Sequence, residues 1–440
     1  MEGIGGVYSK KKCAPILLTI LFSIQNRGEG YCGAVTRNSR GPVSYRHEGE
    51  VFNSFSDEEI RRLSGRYGIG NVSPFIKQPI SFDSNLGEIS LTYNGKILNK
   101  RSLANHLKAE GNALSLKHTD VEIIGKLISR KGIKSIVEGI KDMASRVKGV
   151  YSLGILTEEG LYAFRSPVGV EPLSVGGNEE FNAFASESCA LKELGLKRNQ
   201  YRSVEPGEIV WIGKEIKTIE KLLGKPALCA FEPGYWGRID SFFDGISTKQ
   251  MRERAGQILA KQDIERGFTA DIVIPVRESG AGYAIGYHHG SGIPYDEGFF
   301  RNWYVTRTFL QKTKKARMKG TSMKQSVIEG AVDGKSVVVL DDSIREGTTI
   351  RDKLIPLLRW GGAKEVHARI GSPENKYRCR YSVFSKSRGK LLSAGRSLEE
   401  QRKFIGADSL EFISIEGYLE ALGVSRDKVC LGCWTNEFPI

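Results

Sequence analysis

The sequence contains no apolar run that approaches the roughly 20 residues of a membrane-spanning helix, which excludes a membrane-spanning protein. Cysteine is also scarce, with seven among 440 residues. An odd and small number in a long chain excludes a secreted disulfide scaffold and favours a cytoplasmic protein. Internal repeats and low-complexity segments are absent, and the 51 glycines follow no triplet period, which excludes a collagen-like fibre.

The composition is that of a globular, basic protein. Hydrophobic residues make up 40% and charged residues 26% of the chain, so it can form large cores and is not disordered. A length of 440 residues predicts two domains. The net charge is +14, which is compatible with binding to nucleic acid, an anionic membrane surface or a phosphorylated small substrate, and equally with a basic solvated surface.

The N-terminal region resembles a secretory signal peptide at first sight. Three lysines at positions 10–12 precede an apolar stretch at positions 14–22. No cleavage site of the small-x-small type follows, and an apolar stretch of this length is typical of a core helix. We therefore predict a buried first helix.

The hydrophobic pattern divides the chain near residue 225. The first half alternates short strands, such as 89–93 ended by a turn at Asn94-Gly95, with helical patterns at 121–128 and 136–147, which predicts an α+β layered domain. In the second half, continuous apolar strands at 272–276 and 337–340 each lead into a glycine-containing loop. Such runs indicate parallel strands that are buried on both faces.

The most specific chemical motif follows the strand at 337–340. Asp341 and Asp342 end the strand, and a short loop with Gly347, Thr348 and Thr349 opens a helix near residue 350. Backbone N–H groups at a helix N-terminus bind phosphate, and paired carboxylates suit sugar hydroxyls or Mg²⁺. An ordinary strand–turn–helix is the alternative, but the acidic pair favours a phosphoribosyl site. A second strand end at 275–280 is a weaker signal.

Residues 337–373 resemble the phosphoribosyl pyrophosphate loop of the glutamine phosphoribosylpyrophosphate amidotransferases, which catalyse the first committed step of purine synthesis. The resemblance extends over nearly the whole chain, through the segments 93–95, 119–122, 146–152, 185–191, 231–232, 238–241, 244–247 and 302–309. It implies an N-terminal nucleophile hydrolase-like αββα sandwich at 1–225, a class II glutamine amidotransferase domain. A type I phosphoribosyltransferase domain with a cysteine-bearing tail follows at 226–440.

The resemblance also implies the residues of the transferase site. The candidate catalytic residues are Asp341, Asp342, Arg307 and Lys324. The candidate substrate-binding residues are Ser279, Gly280, Ser343, Arg345, Gly347, Thr348 and Thr349. Ser279, Asp341 and Asp342 are the candidate Mg²⁺ ligands, and the basic segment 312–324 is expected to close over the site.

The glutaminase half departs from the family pattern. Glu2 occupies the position of the catalytic cysteine, and a carboxylate is a poor nucleophile toward an amide. The arginine that clamps the substrate carboxylate is absent from the segment 71–75, where Ser73 stands in its place. Other residues of the glutamine site are retained, namely Arg27, Asn94, Gly95 and Asp120. We therefore predict a vestigial glutamine pocket without glutaminase activity.

Two substitutions change the transferase loops. Arg345 and Glu346 replace a valine–arginine pair, which places an acid beside the phosphate and predicts an altered affinity. In the other loop, Arg277 and Glu278 replace a proline–aspartate pair.

Four cysteines form a further candidate site. Cys430 and Cys433 are spaced as Cys-x-x-Cys near the C-terminus, and spacing alone leaves an iron–sulfur cluster, structural zinc and free thiols open. Cys229 and Cys379 stand where iron–sulfur members of the family have their other ligands. The resemblance therefore favours a [4Fe–4S] cluster.

Together these features predict a cytoplasmic enzyme that forms 5-phosphoribosylamine from phosphoribosyl pyrophosphate, Mg²⁺ and ammonia or another amine. A non-catalytic paralogue that binds phosphoribosyl pyrophosphate or nucleotides is the alternative. We expect a homo-oligomer, a dimer or tetramer, with no nucleic-acid or membrane partner.

Overall fold

The structure is a computed structural model that describes residues 2–115, 119–301, 325–381 and 390–440. The first half contains thirteen strands among its described residues: β1 (Gly3–Ser9), β2 (Tyr31–Asn38), β3 (Gly41–Glu48), β4 (Tyr67–Ser73), β5 (Ile80–Ser84), β6 (Gly87–Ile97), β7 (Gly149–Leu156), β8 (Leu161–Arg165), β9 (Ser174–Gly177), β10 (Phe181–Ala185), β11 (Tyr201–Ser203), β12 (Glu208–Ile212) and β13 (Ile216–Lys221). Its helices are α1 (Ala14–Ser23), α2 (Val51–Ser54), α3 (Asp57–Arg62), α4 (Lys100–Ala109), α5 (Asp120–Ile128), α6 (Ile136–Arg146) and α7 (Ser188–Glu193).

These elements form four layers. A seven-stranded antiparallel sheet of order β11-β9-β10-β1-β4-β2-β3 packs on a six-stranded antiparallel sheet of order β13-β12-β8-β7-β6-β5. A core that includes Ile4, Ile69 and Phe184 lies between the sheets. Helices α1 and α7 cover the outer face of the first sheet, and α4, α5 and α6 cover the second. This is the predicted αββα arrangement.

Two local expectations are corrected. The first helix forms as predicted, but only one face is buried: Leu17 and Leu21 are inside, whereas Phe22 is 55% exposed. The turn expected at Asn94-Gly95 is wrong, because β6 continues through both residues and pairs them with β7. Gly95 has a φ of +146°, so the glycine accommodates a local distortion of the strand instead of ending it.

The second half is built around a parallel sheet. Its strands in the described residues are β14 (Leu228–Cys229), β15 (Phe242–Phe243), β16 (Ile246–Ser247), β17 (Ile272–Pro275), β18 (Phe299–Arg301), β19 (Gln325–Val327), β20 (Ser336–Asp341), β21 (Glu365–Ile370), β22 (Ser409–Phe412) and β23 (Val429–Cys430). Its helices are α8 (Thr248–Glu265), α9 (Ala281–Ser291), α10 (Glu329–Val332), α11 (Ile355–Trp360), α12 (Leu398–Ile405), α13 (Ile415–Leu422) and α14 (Gly432–Thr435). π-Helical turns occupy Glu232–Trp236 and Ile350–Leu354.

The sheet order β17-β20-β21-β22 is parallel throughout. Helices α8, α9 and α13 cover one face, and α11 and α12 cover the other. The apolar strands are buried on both faces for this reason, as the sequence predicted. Because β17 and β20 are neighbours, their carboxyl ends deliver the loops 275–280 and 341–349 to the same edge, where ligands bind in open α/β sheets.

The two halves are tied together in the described part of the chain. Arg165 of β8 forms an ion pair with Asp244 at 2.7 Å, and the backbone N–H of Cys229 donates to the Val170 carbonyl at 3.3 Å. The division at residue 225 stays a prediction. No helix among the described residues is both long and apolar enough to cross a membrane.

Candidate active site

The acidic pair at the end of β20 meets the end of β17. The Ser279 hydroxyl donates a hydrogen bond to Asp341 Oδ1 at 3.0 Å, and the backbone N–H of Asp342 donates to the same oxygen at 2.9 Å. The Ser343 hydroxyl donates to Asp342 Oδ1 at 3.1 Å. All four residues were predicted from the sequence, and the fold places them at one sheet edge.

Close backbone packing explains the unusual residues of these loops. A Cβ on Gly280 would lie 2.1 Å from the carbonyl oxygen of Leu340, so only glycine allows the first loop to pack against the end of β20. Glu278 and Gly347 have φ values of +67° and +76°, the left-handed region that favours glycine. The strain at Glu278 lies in the second candidate strand end, at 275–280, and such strained residues cluster at ligand-binding sites.

Burial strongly perturbs the acidic pair. It raises the pKa of Asp341 from 3.8 to about 6. The pKa of Asp342 is raised by burial and then by the Asp341 carboxylate, while the Arg252 guanidinium lowers it. Two carboxylates this close favour a bound cation because it removes their mutual repulsion.

The donor set fits Mg²⁺ delivered together with a polyphosphate. The described residues contain no group of three or more His, Cys, Asp or Glu side chains that could hold a metal ion by themselves. Two carboxylates and the Ser279 hydroxyl are hard oxygen donors, and Mg²⁺ typically takes one or two carboxylates and completes its coordination with phosphate and water. Ser279, Asp341 and Asp342 would be the residues that hold it.

The phosphate loop leads from the acidic pair into a helix. Gly347 is buried, whereas Thr348 and Thr349 are exposed at the start of the helical segment. The backbone N–H of Arg351 donates to the Gly347 carbonyl at 3.0 Å, which marks the first helical turn. The Arg345 side chain is exposed, and its carbonyl accepts a hydrogen bond from Leu392 N–H at 2.7 Å.

Of three arginine and lysine residues that the sequence analysis singled out, the structure describes only one. Arg277 pairs with Glu297 at 2.8 Å and donates to the Phe299 carbonyl at 2.6 Å, so its guanidinium is held by β18 and the segment before it. Arg307, Lys324 and the loop 312–324 lie outside the described residues.

The structure adds two residues that the sequence did not reveal. Tyr235 lies in the first π-helical turn and is 45% exposed. Its pKa is raised by partial burial and by the nearby carboxylates of Asp342 and Asp341. Arg252 of α8 is buried and donates to the carbonyls of Pro233 and Gly237 at 3.0 and 2.8 Å. It fixes the turn that carries Tyr235. The only sequence signal is an arginine on the apolar face of α8.

In the first half, the Glu2 side chain lies buried among the residues that the sequence predicts for the glutamine pocket. Its carboxylate accepts hydrogen bonds from Ser73 Oγ at 3.0 Å and from Gln78 Nε2 at 2.5 Å. Glu2 is 5% exposed. Two departures noted in the sequence, Glu2 and Ser73, therefore contact one another.

The retained residues of this pocket are engaged in internal contacts. Asn94 Oδ1 accepts from the backbone N–H of Glu2 at 2.8 Å, and Asn94 Nδ2 donates to Glu171 at 2.7 Å. Gly95 must be glycine, because a Cβ there would lie 2.1 Å from the Val150 carbonyl oxygen. Asp120 accepts from the backbone N–H of Ile97 and forms an ion pair with Lys100, each at 3.0 Å.

Arg27 connects this pocket with the transferase half. Its Nε donates to the Glu2 carbonyl at 3.2 Å, and its guanidinium forms ion pairs with Glu187 at 2.9 Å and Glu232 at 2.8 Å. Both carboxylates are fully buried. Glu232 begins the π-helical turn that carries Tyr235, so one buried cluster joins the two sites.

The burial of Glu2 predicts a pH-dependent effect on stability. Burial raises its pKa from 4.5 to about 8, so its contribution to stability is greatest below pH 4.5 and declines as the pH rises to about 8. The melting temperature of Glu2→Gln should therefore rise relative to the unsubstituted protein between pH 5 and pH 8. Glu215→Gln, at an exposed carboxylate, is the matched control and should change the melting temperature little. A Glu2→Gln difference that is constant with pH would contradict the burial of an ionisable group.

The four predicted cysteine ligands come together from three segments. Cys229 and Cys430 are paired in the short parallel sheet of β14 and β23. The pKa of Cys433 is raised by a hydrogen bond with Cys379, then by burial and the other thiols. None of the seven cysteines forms a disulfide. Cys13 and Cys32, which lie outside this group, are buried, and burial raises their pKa.

Four thiols are the donor set of either a [4Fe–4S] cluster or a zinc ion. Within the described ranges, no group of three or more His, Cys, Asp or Glu side chains is arranged so that it could hold a metal ion.

Comparisons with known proteins agree with both halves of the fold. Residues 69–193 match the family described as glutamine amidotransferase domain, and residues 245–372 match the phosphoribosyl transferase domain. The chain is 35% identical to the amidophosphoribosyltransferase of Methanothermobacter thermautotrophicus over 452 residues, covering 99% of this chain and 94% of the relative. The Bacillus subtilis amidophosphoribosyltransferase is 34% identical with the same coverage.

The structural comparison gives the same result. A solved structure described as glutamine phosphoribosylpyrophosphate amidotransferase from B. subtilis, complexed with ADP and GMP, matches with a TM-score of 0.90 at 34% identity. The match covers 99% of this chain and 97% of the solved one. The predicted fold class, an αββα glutamine amidotransferase domain followed by a type I phosphoribosyltransferase domain, is confirmed.

Proposed function

Because the chain belongs to the amidophosphoribosyltransferase family, we propose that it forms 5-phosphoribosylamine from phosphoribosyl pyrophosphate in purine nucleotide synthesis, with ammonia as the nitrogen donor. The observation that carries this proposal is the contact of Ser279 with the Asp341–Asp342 pair at the edge of the parallel sheet. A protein that had lost transferase chemistry would not need two buried carboxylates side by side, because their mutual repulsion destabilises the fold.

In this reaction the nitrogen lone pair attacks the anomeric carbon, the bond to pyrophosphate breaks, and the nitrogen loses a proton. The loop 343–349 holds the 5′-phosphate through backbone N–H groups and the hydroxyls of Thr348 and Thr349. Asp341 and Asp342 accept hydrogen bonds from the ribose hydroxyls and stabilise the positive charge that develops on the ribose. Bound Mg²⁺ would neutralise the pyrophosphate as it leaves. Arg307 and Lys324 are proposed to contact the diphosphate.

Pyrophosphate release from phosphoribosyl pyrophosphate tests the proposal. The rate should require Mg²⁺ and increase with ammonia, whereas glutamine should give the same rate as no amine. At fixed total ammonia the rate should rise with pH, because only the neutral form attacks. Release that depends on neither ammonia nor Mg²⁺, while phosphoribosyl pyrophosphate still binds, would favour the non-catalytic alternative. Glu346 beside the phosphate loop is the observation that supports that alternative.

We also propose that the glutaminase half is inactive. Glu2 supplies no thiolate, and Ser73 and Gln78 hydrogen-bond the Glu2 carboxylate in place of an arginine that would bind the substrate carboxylate. Glu2→Cys alone should therefore produce no glutamate from glutamine above a heat-inactivated sample, since the nucleophile returns without the carboxylate clamp. The melting temperature of the variant checks that it is folded. Glutamate production by folded Glu2→Cys would contradict the account of this pocket.

For the cysteine group we propose one structural [4Fe–4S] cluster held by Cys229, Cys379, Cys430 and Cys433. Its convergence from three segments supports a role in fixing β23 to β14. Protein purified without oxygen should contain about four irons per chain, and Cys433→Ser should lower both the iron content and the melting temperature. Cys189→Ser, at a buried thiol outside the group, is the control and should retain the iron. Zinc, or no metal, in the unsubstituted protein would contradict this proposal.

We place the enzyme in the cytoplasm, because seven cysteines that form no disulfide are typical of a reducing compartment. The exposed, adjacent rings of Phe22 and Phe52, whose centroids lie 6.1 Å apart, support a homo-oligomer.

A further inference from the structure

The interior of the vestigial pocket is polar, and its groups converge on the Glu2 side chain. The Ser73 hydroxyl and the Gln78 amide both donate to its carboxylate. The Gln78 side chain is itself fixed, because it donates to the Tyr93 carbonyl at 3.0 Å and accepts from Tyr93 N–H at 2.7 Å. Ser73 Oγ accepts from the backbone N–H groups of Phe75 and Ile76. Both donors are therefore held in place to point at a carboxylate.

A further polar group borders this space. Asn71 lies two residues before Ser73 on the same face of β4, and it is fully buried. Neither its Oδ1 nor its Nδ2 has a hydrogen-bond partner among the described residues. Buried amides are almost always satisfied in native proteins, so the unpartnered amide of Asn71 is a further polar group of a site built for a polar occupant.

We propose that Glu2 is a built-in ligand of this pocket: its propionate-sized side chain occupies a site for small carboxylates and carboxamides and keeps free glutamine out. Ser73 and Gln78 both donate hydrogen bonds to the Glu2 carboxylate. The site therefore accepts a neutral or anionic oxygen group and rejects a cation. The Arg27 guanidinium, which contacts the Glu2 carbonyl rather than its carboxylate, holds the backbone while the side chain reaches inward. This inference rests on the proposed loss of glutaminase activity in this half.

Truncation of the Glu2 side chain, followed by addition of small carboxylates of matching size, tests this proposal. Glu2→Gly removes two methylene groups and the carboxylate, three carbons in all, which equal propionate, whereas Glu2→Ala leaves the first carbon and makes room for acetate. We expect both variants to melt several degrees below the unsubstituted protein, because the cavity and two orphaned donors destabilise it. Propionate should restore the melting temperature of Glu2→Gly in a saturable manner, and acetate should be the better ligand for Glu2→Ala.

The controls separate this site from general salt effects. Propionamide, of the same shape, should also stabilise Glu2→Gly, whereas propylammonium should not. Glu215→Gly, an exposed glutamate replaced in the same way, should respond to none of these compounds. Equal stabilisation of Glu2→Gly and Glu215→Gly by propionate, or none of Glu2→Gly, would overturn the proposal.

A second measurement uses the unsubstituted protein and remains decisive if the variants do not fold. Calorimetric titration with glutamine or glutamate should give no binding, because the pocket is filled. Saturable binding of either compound that Gln78→Leu abolishes would show that Glu2 leaves the pocket, and would overturn the proposal. None of these measurements involves turnover, so their failure leaves the ammonia-dependent transferase reaction open, and failure of that reaction leaves the pocket inference standing.

Discussion

Asp342→Asn should slow ammonia-dependent pyrophosphate release by about 100- to 1,000-fold, the loss expected when one preorganised electrostatic contact to the transition state is removed. The effect should fall on kcat more than on KM, because the charge on the ribose develops only in the transition state. Release would be followed at saturating Mg²⁺ and ammonia. Asp352→Asn, at an exposed aspartate paired with its neighbour Arg351, is the matched control and should retain the full rate.

The same substitution should not destabilise the protein. Burial and the adjacent Asp341 raise the pKa of Asp342, so a neutral asparagine relieves repulsion in the folded state. We expect the melting temperature of Asp342→Asn to be unchanged or higher while its rate of pyrophosphate release falls. This combination is typical of active-site residues that destabilise the folded protein. A variant that loses rate and stability in parallel would contradict the assignment of Asp342 to the chemistry.

Arg27→Met should lower the free energy of unfolding by about 3–5 kcal/mol, the usual result of removing one partner from a buried ionic cluster. The carboxylates of Glu187 and Glu232 are fully buried and would both lose their cation. Urea unfolding measures the change, and Arg62→Met, at an exposed pair within one helix turn, is the control that should have little effect.

A double substitution tests the reason for this loss. Glu232→Gln in the Arg27→Met background removes one of the stranded charges and should recover part of the stability. No recovery would mean that the loss comes from packing and not from unpaired charge.

The sequence predicted that Ser279 and the acidic pair lie together, because the parts of this candidate site are nearly contiguous. Asp341, Asp342 and the glycine–threonine loop follow one strand, and Ser279 follows the neighbouring one. Parallel pairing of β17 with β20 then brings both strand ends to one edge, a consequence of the fold class alone.

The remaining parts could not be predicted because distant segments build them. Tyr235 lies near enough to the acidic pair for their carboxylates to raise its pKa, and it is carried by a π-helical turn that Arg252 fixes from another helix. Glu187 and Glu232 meet Arg27 across sequence separations of 160 and 205 residues. Likewise, Ser73 meets Glu2 because β4 pairs with β1, and Gln78 meets it from the segment between β4 and β5. No local pattern encodes either contact. The turn predicted at Asn94-Gly95 was wrong for the opposite reason. The local sequence favours a turn, but pairing with β7 continues the strand through both residues.

The most direct test of the account supplies ammonia labelled with heavy nitrogen and unlabelled glutamine together, with phosphoribosyl pyrophosphate and Mg²⁺, and measures the nitrogen in the 5-phosphoribosylamine formed. Transfer from ammonia with a closed glutamine pocket predicts product that carries only the heavy label, at a rate independent of glutamine. Product that contains unlabelled nitrogen would contradict the account, because it would show that glutamine enters the pocket occupied by Glu2 and delivers its amide to the transferase site.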